Sequence, residues 1–295
     1  MILDKKQGEA LLAVTDTGSF EQAAARLHLT ASAVSQRVRA LEVQLGQPLV
    51  VRSRPCRATR AGQKLLRYLV RAALLDAEFL AESVAEQAEP LSVAIAVNAD
   101  SLATWFLPAL DPFLDRERVL IDLIVDDQDH TYALLEAGRA LGCVSTEPRP
   151  MRGCQAEPLG TMRYRALAAP AFRGRWFPHG MTPEAVRRAP VLVFNRKDRL
   201  QADFLERKFR LLPNAYPCHY VPASEPFMHA LLLGFGWGMA PDLQAGGQLA
   251  GGMLVELAPD DPIDVGLFWH SWKVQSPRLE RLSQTVIKAA RRLLS

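Results

Sequence analysis

The sequence predicts an α/β protein with a helix-turn-helix head, one long linking helix and a larger strand–helix body. Three observations carry this. A helix of small residues, a short turn and a capped helix occupy 20–45; an apolar heptad run occupies 59–88; strand-like and helix-like segments alternate from 91 onward. The 295 residues, 49% hydrophobic and 23% charged, make a globular chain of roughly two domains rather than a disordered one.

The head reads as three helices. The first runs from Lys5 to Thr17, carries Leu11, Leu12 and Val14, and stops at Gly18. Ser19 with Gln22 offers a capping box for the second, Phe20 to Leu27, whose small face is Ala23, Ala24 and Ala25. After a turn at His28 and Leu29, Thr30 caps a third helix that ends at Gly46, with Val34, Val38, Leu41 and Leu45 on one stripe. An extended stretch from Pro48 to Val51 leads into the basic loop Arg52-Ser53-Arg54-Pro55.

A narrow second helix crossing a polar, basic third one is the build that enters a DNA major groove. The third helix presents Thr30, Ser32, Ser35, Gln36 and Arg39. Gln36 and Arg39 are long enough to reach base edges, whereas Arg37, Arg52, Arg54 and Arg57 suit phosphates. The same pattern also fits a small packing module with a solvated basic face. Charge favours the nucleic-acid reading: the chain is net +3, and residues 1–60 alone hold nine Lys/Arg against five acids.

From Thr59, Ala61, Leu65, Tyr68, Ala72, Leu75 and Phe79 recur at alternating spacings of four and three. At about 1.5 Å per residue the 59–88 helix is roughly 45 Å long, and its seam needs covering. A homodimer through this helix covers it; packing on the chain's own body is the other solution. Glu89-Pro90 ends it.

In the body, strands are expected at 92–97, 119–125, 141–145, 164–169, 191–194 and 219–221. Helices are expected at 105–114, 130–137, 227–233 and 279–294, with Leu107, Leu110 and Leu114 sharing a face. Such alternation predicts mostly parallel sheets, whose ligands sit at the strands' carboxyl ends. Trp105, Phe106, Trp237, His219 and His270 read as core residues.

Other classes are disfavoured. No apolar run is long enough to span a membrane, and the first residues lack a secretory pattern, so the chain reads as cytoplasmic. Cys56, Cys143, Cys154 and Cys218 form no Cys-x-x-Cys pair, so no zinc site or redox motif is expected and the cysteines read as reduced. The glycines of Gly234-Phe-Gly236-Trp-Gly238 follow a helix, whereas a dinucleotide loop follows a strand. With no nucleophile elbow, phosphate loop or zinc-protease motif, no catalytic residue, metal or cofactor is expected.

The run from Phe20 to Leu49, FEQAAARLHLTASAVSQRVRALEVQLGQPL, followed by Arg57-Ala-Thr-Arg-Ala-Gly62, resembles the LysR-type transcriptional regulators. The resemblance is specific over 1–65 and looser beyond. In the body, Val97-Asn-Ala-Asp-Ser101, Val125-Asp-Asp-Gln-Asp-His-Thr131 and Gly142-Cys-Val-Ser-Thr-Glu-Pro148 resemble the subgroup that senses arginine or lysine and activates a basic-amino-acid exporter gene, also described as chromosome-initiation inhibitors. The resemblance implies a winged head over 1–58, a linker helix over 59–88 and a body over 91–295 shaped like a two-lobe periplasmic binding protein. Lobe I would be 91–161 plus 267–295, and lobe II 162–266. It further implies double-stranded DNA and a small-molecule effector as partners, RNA polymerase as a further one, and a homotetramer built from dimers.

Chemistry then selects effector candidates. An amino acid needs donors for its carboxylate and carboxylates for its ammonium groups. Asn98 and Ser101 follow the first body strand; Asp126 and Asp127 follow the second, with Asp129 and His130 beside them; Ser145, Thr146 and Glu147 follow the third. Asn195 with Arg196, and Ser224 with Glu225, follow later strands. The acidic loop also reads as a solvated loop or a metal cluster, Ser145-Thr146 as a turn cap, and Glu225 as a helix-dipole partner. The rival functions are a regulator answering to another metabolite and a cytosolic solute binder or enzyme on the same body.

Overall fold

The computed structural model describes residues 3–83, 91–125 and 131–294. The chain divides into two compact units, one of 1–93 with 133–141 and the other of 94–132 with 142–295.

In the first unit, α1 (Lys5–Thr17) is capped by Asp4, whose side chain accepts from Lys6 and Gln7 N–H, and ends at Gly18 in the left-handed region. Ser19 caps α2 (Phe20–Arg26) by accepting from Glu21 and Gln22 N–H. The reciprocal half of the expected box is filled differently: the Ser19 N–H donates to Thr17 Oγ1 at 3.4 Å. Thr30 caps α3 (Ala31–Leu45), and a left-handed Gly46 stops it. Leu11, Val14, Ala23, Val34, Val38, Leu41 and Leu49 form a fully enclosed core.

The stretch after α3 is a hairpin. β1 (Val50–Val51) pairs antiparallel with β2 (Arg57–Ala58), and the basic loop lies between them. Glu42 fixes its base, one carboxylate oxygen accepting the Leu49 and Val50 N–H groups at 2.8 and 3.3 Å. The long helix α4 (Arg60–Ser83) comes next. Leu65 and Leu66 belong to the head core, while Tyr68 and Leu75 of the seam are more than half exposed. The Phe79 side chain and residues 84–90 lie outside the described residues. Arg67 of α4 donates to the Glu136 carbonyl at 2.7 Å, which brings 133–141 into this unit.

The second unit is built on a seven-stranded sheet of β3 (Leu91–Val97), β4 (Val119–Val125), β5 (Gly142–Ser145), β6 (Cys154–Ala168), β9 (Gly238–Pro241), β10 (Val255–Glu256) and β11 (Ile263–Trp272). The order is β10-β6-β11-β5-β3-β4, with β9 also on β6. β3 and β5 are parallel, as expected. The expectation of mostly parallel sheets is corrected by the two longest strands: β6 and β11 run antiparallel from Tyr164↔Ile263 to Cys154↔Trp272. β11 is also antiparallel to β5, and β6 to β9 and β10. Alternating strands and helices imply parallel crossovers only between sequence neighbours, and β6 meets β11 after a long excursion. That excursion contains β7 (Val191–Val193) and β8 (Cys218–Tyr220), a separate parallel pair.

Around the sheets lie α5 (Ala99–Ser101), a π turn (Leu102–Phe106), α6 (Leu107–Leu114), α8 (Pro170–Trp176), α9 (Pro183–Arg188), α10 (Leu200–Phe209), α11 (Ser224–Leu232), α12 (Asp242–Ala250) and α13 (Pro277–Leu293), while α7 (Thr131–Glu136) runs into the 133–141 segment of the first unit. The expected helix face, with Leu107, Leu110 and Leu114 together, is corrected by their burial. Trp105, Phe106, Ala109, Leu110 and Phe113 are buried while Leu107 and Leu114 are exposed, so the buried stripe follows the aromatic residues rather than the leucines. Trp105, Phe106, Trp237 and His270 are core residues, but His219 is exposed on the edge of β8. None of the four cysteines forms a disulfide; Cys143 and Cys154 are buried, and burial pushes the Cys143 thiol far up.

Candidate functional site

Two surfaces carry function-bearing side chains. On the head, Thr30 at the cap of α3 and Ser32, Gln36 and Arg39 within it are exposed, with Ser35 and Arg37 half-buried between them. Arg52, Arg54 and Arg57 are exposed on the hairpin. Arg52 is held: its guanidinium lies 4.9 Å over the Phe20 ring and donates to Ser35 Oγ at 3.3 Å. One wing arginine is therefore tied to both helices of the helix-turn-helix. Beside it, the Ser19 hydroxyl donates to Glu21, holding that carboxyl below its ordinary value with Arg54 adding to the effect.

In the second unit a small cavity of about 50 Å³ opens at the end of β3. One wall is the start of α5, with Asn98 and Asp100; another is the start of α10, with Asp198, Leu200 and Gln201. Tyr164 of β6, Met239 and Pro241 of β9, Gln244 of α12, Phe194 and Phe227 complete the lining.

Asp100 is the most connected of these. Its Oδ2 accepts from the Tyr164 hydroxyl and its Oδ1 from the Ser224 hydroxyl, both at 2.8 Å. Ser224 also lies 3.2 Å from Gln244 Oε1. Asp198 is fixed by main chain, Oδ2 accepting from Phe194 N–H at 3.1 Å and Oδ1 from Leu200 N–H at 2.9 Å. The described lining holds two carboxylates and no Lys, Arg or His. The neighbouring Arg165 is engaged elsewhere, by Asp242 at 2.6 Å and Glu256 at 2.9 Å, which raises its already high pKa. The described lining thus presents two carboxylates and no cation, suited to a cationic ligand.

The expected effector residues divide. Asn98 lines the cavity, and Ser224 stands behind it on Asp100. Asn195 shapes the adjoining wall by accepting from Lys197 and Asp198 N–H. Ser101 is buried and its hydroxyl has no partner. Ser145 accepts from Glu147 N–H, and the Glu147 carbonyl meets His270 Nε2 at 2.7 Å. Thr146 is half-buried, and Glu147 and Glu225 are exposed; Ser145, Thr146, Glu147 and Glu225 all stand off the cavity lining. Asp126 and Asp127, with Asp129 and His130, lie outside the described residues. Among the described residues no His/Cys/Asp/Glu group is arranged to hold a metal, and no helix is long and apolar enough to cross a membrane.

Reading the sequence missed Asp100, Tyr164, Asp198, Gln201 and Gln244. Asp100 sits inside the Asn98–Ser101 run, which offers an amide and a hydroxyl at its ends, so position alone pointed to it. Asp198 shares a turn with Asn195. Nothing local marks Tyr164, Gln201 or Gln244.

A winged helix-turn-helix, a long helix and an α/β body with a ligand cavity together define a DNA-binding regulator governed by a small molecule. Residues 6–63 match the bacterial regulatory helix-turn-helix protein of the lysR family, and residues 86–291 match the LysR substrate binding domain. The chain belongs to the LysR family of transcriptional regulators. It is 47% identical over 289 residues to the HTH-type transcriptional regulator LysG of Mycobacterium tuberculosis, covering 98% of this chain and 94% of that one. The crystal structure of ArgP from Mycobacterium tuberculosis superposes with a TM-score of 0.85 at 46% identity, covering 98% of each chain. Full-length LysG from Corynebacterium glutamicum with bound effector Arg gives 0.77 at 37%, covering 97% of this chain and 98% of that one.

Proposed function

We propose that this regulator answers to a basic amino acid, L-lysine or L-arginine, held in the Asp100–Asp198 cavity, and controls a basic-amino-acid exporter gene from the cytoplasm. The observation that carries this is the lining itself: two fixed carboxylates with no cationic side chain among the described lining residues. A ligand with two cationic ends and one carboxylate answers that charge better than an apolar or acidic metabolite. The bound Arg in LysG of Corynebacterium glutamicum supports the same chemistry.

On the DNA side, Gln36 and Arg39 read base edges, supported by Thr30, Ser32 and Ser35, and Arg37, Arg54 and Arg57 neutralise phosphates. Arg52 orients the wing. Dimers pair through the 59–88 helix, whose exposed Tyr68 and Leu75 favour that reading. Body contacts join dimers into a tetramer, from which the protein meets RNA polymerase. Lobes of 91–161 with 267–295 and of 162–266 close on the effector. Differential affinity for the open and closed forms changes the head spacing.

A thermal-shift scan of the full-length protein against the twenty amino acids tests this. Ligand at about 100 times its Kd adds about 2.7 kcal/mol, several degrees for a body of this size. Lysine and arginine are expected to shift the melting temperature. A shift with other amino acids and neither of these would overturn the effector assignment and leave the family membership standing.

A further inference from the structure

We infer that Gln201, with Asp198, reads the side-chain end of the effector and ranks a guanidinium above an ammonium. This rests on the basic-amino-acid reading of the cavity.

Each helix start at the cavity offers one carboxylate and one buried amide. At the first, Asn98 and Asp100 flank Ala99; at the second, Asp198 and Gln201 flank Leu200. Asn98 is 4% exposed and Gln201 2%, and neither Asn98 Oδ1 nor Gln201 Oε1 has a hydrogen-bond partner. A buried amide oxygen left unpaired is costly, and a donor on the ligand removes that cost. The repeated pairing suits a ligand with a donor-rich cation at each end.

The two ends are not equivalent. Around Asp100 the Tyr164 and Ser224 hydroxyls give their protons to its own oxygens, and Gln244 of the lining brings amide N–H groups that can meet a ligand carboxylate. Around Asp198 the lining is Phe194, Leu200 and Gln201. That wall meets a cation and its alkyl stem, and the α-carbon end belongs at Asp100.

At the Asp198 wall the acceptors are a carboxylate held by two main-chain N–H groups and the Gln201 oxygen, beside the Phe194 ring. An ammonium carries three donors at one point. A guanidinium carries five in a planar fork that pairs bidentately with a carboxylate, reaches a second acceptor and stacks on an aromatic face. Arginine therefore uses Gln201 and Phe194 more fully than lysine does.

Calorimetric titration of the full-length protein with L-arginine, L-lysine and Nω,Nω-dimethyl-L-arginine tests this in the wild type and in Gln201→Met. Dimethylation keeps the charge and removes N–H donors. Arginine is expected to bind about fivefold or more tighter than lysine, and dimethylarginine about tenfold weaker than arginine. Gln201→Met is expected to weaken arginine about tenfold and lysine by less than about threefold. Lysine or dimethylarginine binding as tightly as arginine, or a Gln201→Met loss equal for both amino acids, would overturn the inference. The wild-type ligand series decides it even if the variant fails to fold. Wild-type protein that binds neither amino acid removes the effector reading itself, a result distinct from binding both equally.

Discussion

Asp100 and Tyr164 are 64 positions apart in sequence and joined by a 2.8 Å hydrogen bond in the cavity lining. The phenol donates to one carboxylate oxygen while Ser224 donates to the other, so the side chain is fixed before any ligand arrives. A preset carboxylate costs a cationic ligand less ordering than a mobile one.

Asp100→Asn should therefore weaken lysine and arginine binding by about 2–5 kcal/mol, as removing one partner of a desolvated charge pair does. Tyr164→Phe should cost about 0.5–1.5 kcal/mol. If Tyr164 acts through Asp100, adding Tyr164→Phe to Asp100→Asn should cost little more. Calorimetry on the four proteins checks this, and additive losses would show that Tyr164 touches the ligand independently.

On the head, Gln36→Ala or Arg39→Ala should each cost about 1–3 kcal/mol of operator binding and relax specificity at one position. Arg54→Ala should instead weaken all sequences alike and reduce the salt slope by about 1. Arg52→Ala should behave differently from both, lowering the head's melting temperature too, because its guanidinium packs on Phe20 and bonds Ser35. Fluorescence anisotropy across a salt series, with a melt of each variant, separates these effects. Unchanged operator affinity in both Gln36→Ala and Arg39→Ala would remove α3 as the base reader.

Gly62 is required by space. A Cβ there would sit 2.1 Å from the Leu49 carbonyl oxygen, where the first turn of α4 crosses the strand leading into the wing. Gly62→Ala should destabilise the protein by about 1–3 kcal/mol, the usual range for overpacking against atoms that cannot move aside. Urea denaturation followed by far-UV circular dichroism reads it, and an unchanged midpoint would show that the crossing yields.

Glu117 sets an acid limit on the body. Burial pushes its carboxyl up, but the hydrogen bonds from Arg281 and Arg278, at 2.7 and 2.9 Å, outweigh that and leave it below its ordinary 4.5. The folded form then binds this proton less readily than the unfolded chain. The stabilisation is present above 4.5 and fades as pH falls through the lowered folded value. Melting temperatures taken from pH 7 downward should drop more steeply below 4.5 in wild type than in Glu117→Gln. Parallel curves would assign the acid sensitivity to other groups.

Local signals made the head legible. Asp4, Ser19 and Thr30 cap helices within three residues of themselves, and Gly18 and Gly46 stop them, so α1 and α3 fall where the sequence puts them. The body was legible only in part. Strand β6 begins at Cys154 rather than near Tyr164, and β11 was not foreseen, because each is held by the other across a long chain separation. The α6 face differs from the expected one because the tertiary contacts bury the side with Phe106, Ala109 and Phe113, and periodicity alone does not say which of two apolar sides packs inward.

The sequence by itself determined the family, the capped polar helix α3, the basic wing and the acids that follow strand ends. Each of these rests on neighbours in the chain: a capped polar helix, a cluster of arginines, acids after strand ends. Only the tertiary structure decided which acids share a cavity. Asp100, Tyr164, Asp198, Gln201 and Gln244 come from α5, β6, the turn before α10, α10 itself and α12, and the antiparallel β6–β11 pair and its flanking helices bring them together. Hydrogen bonds between residues so far apart leave no periodicity or spacing in the sequence, since their geometry comes from packing rather than from the local chain.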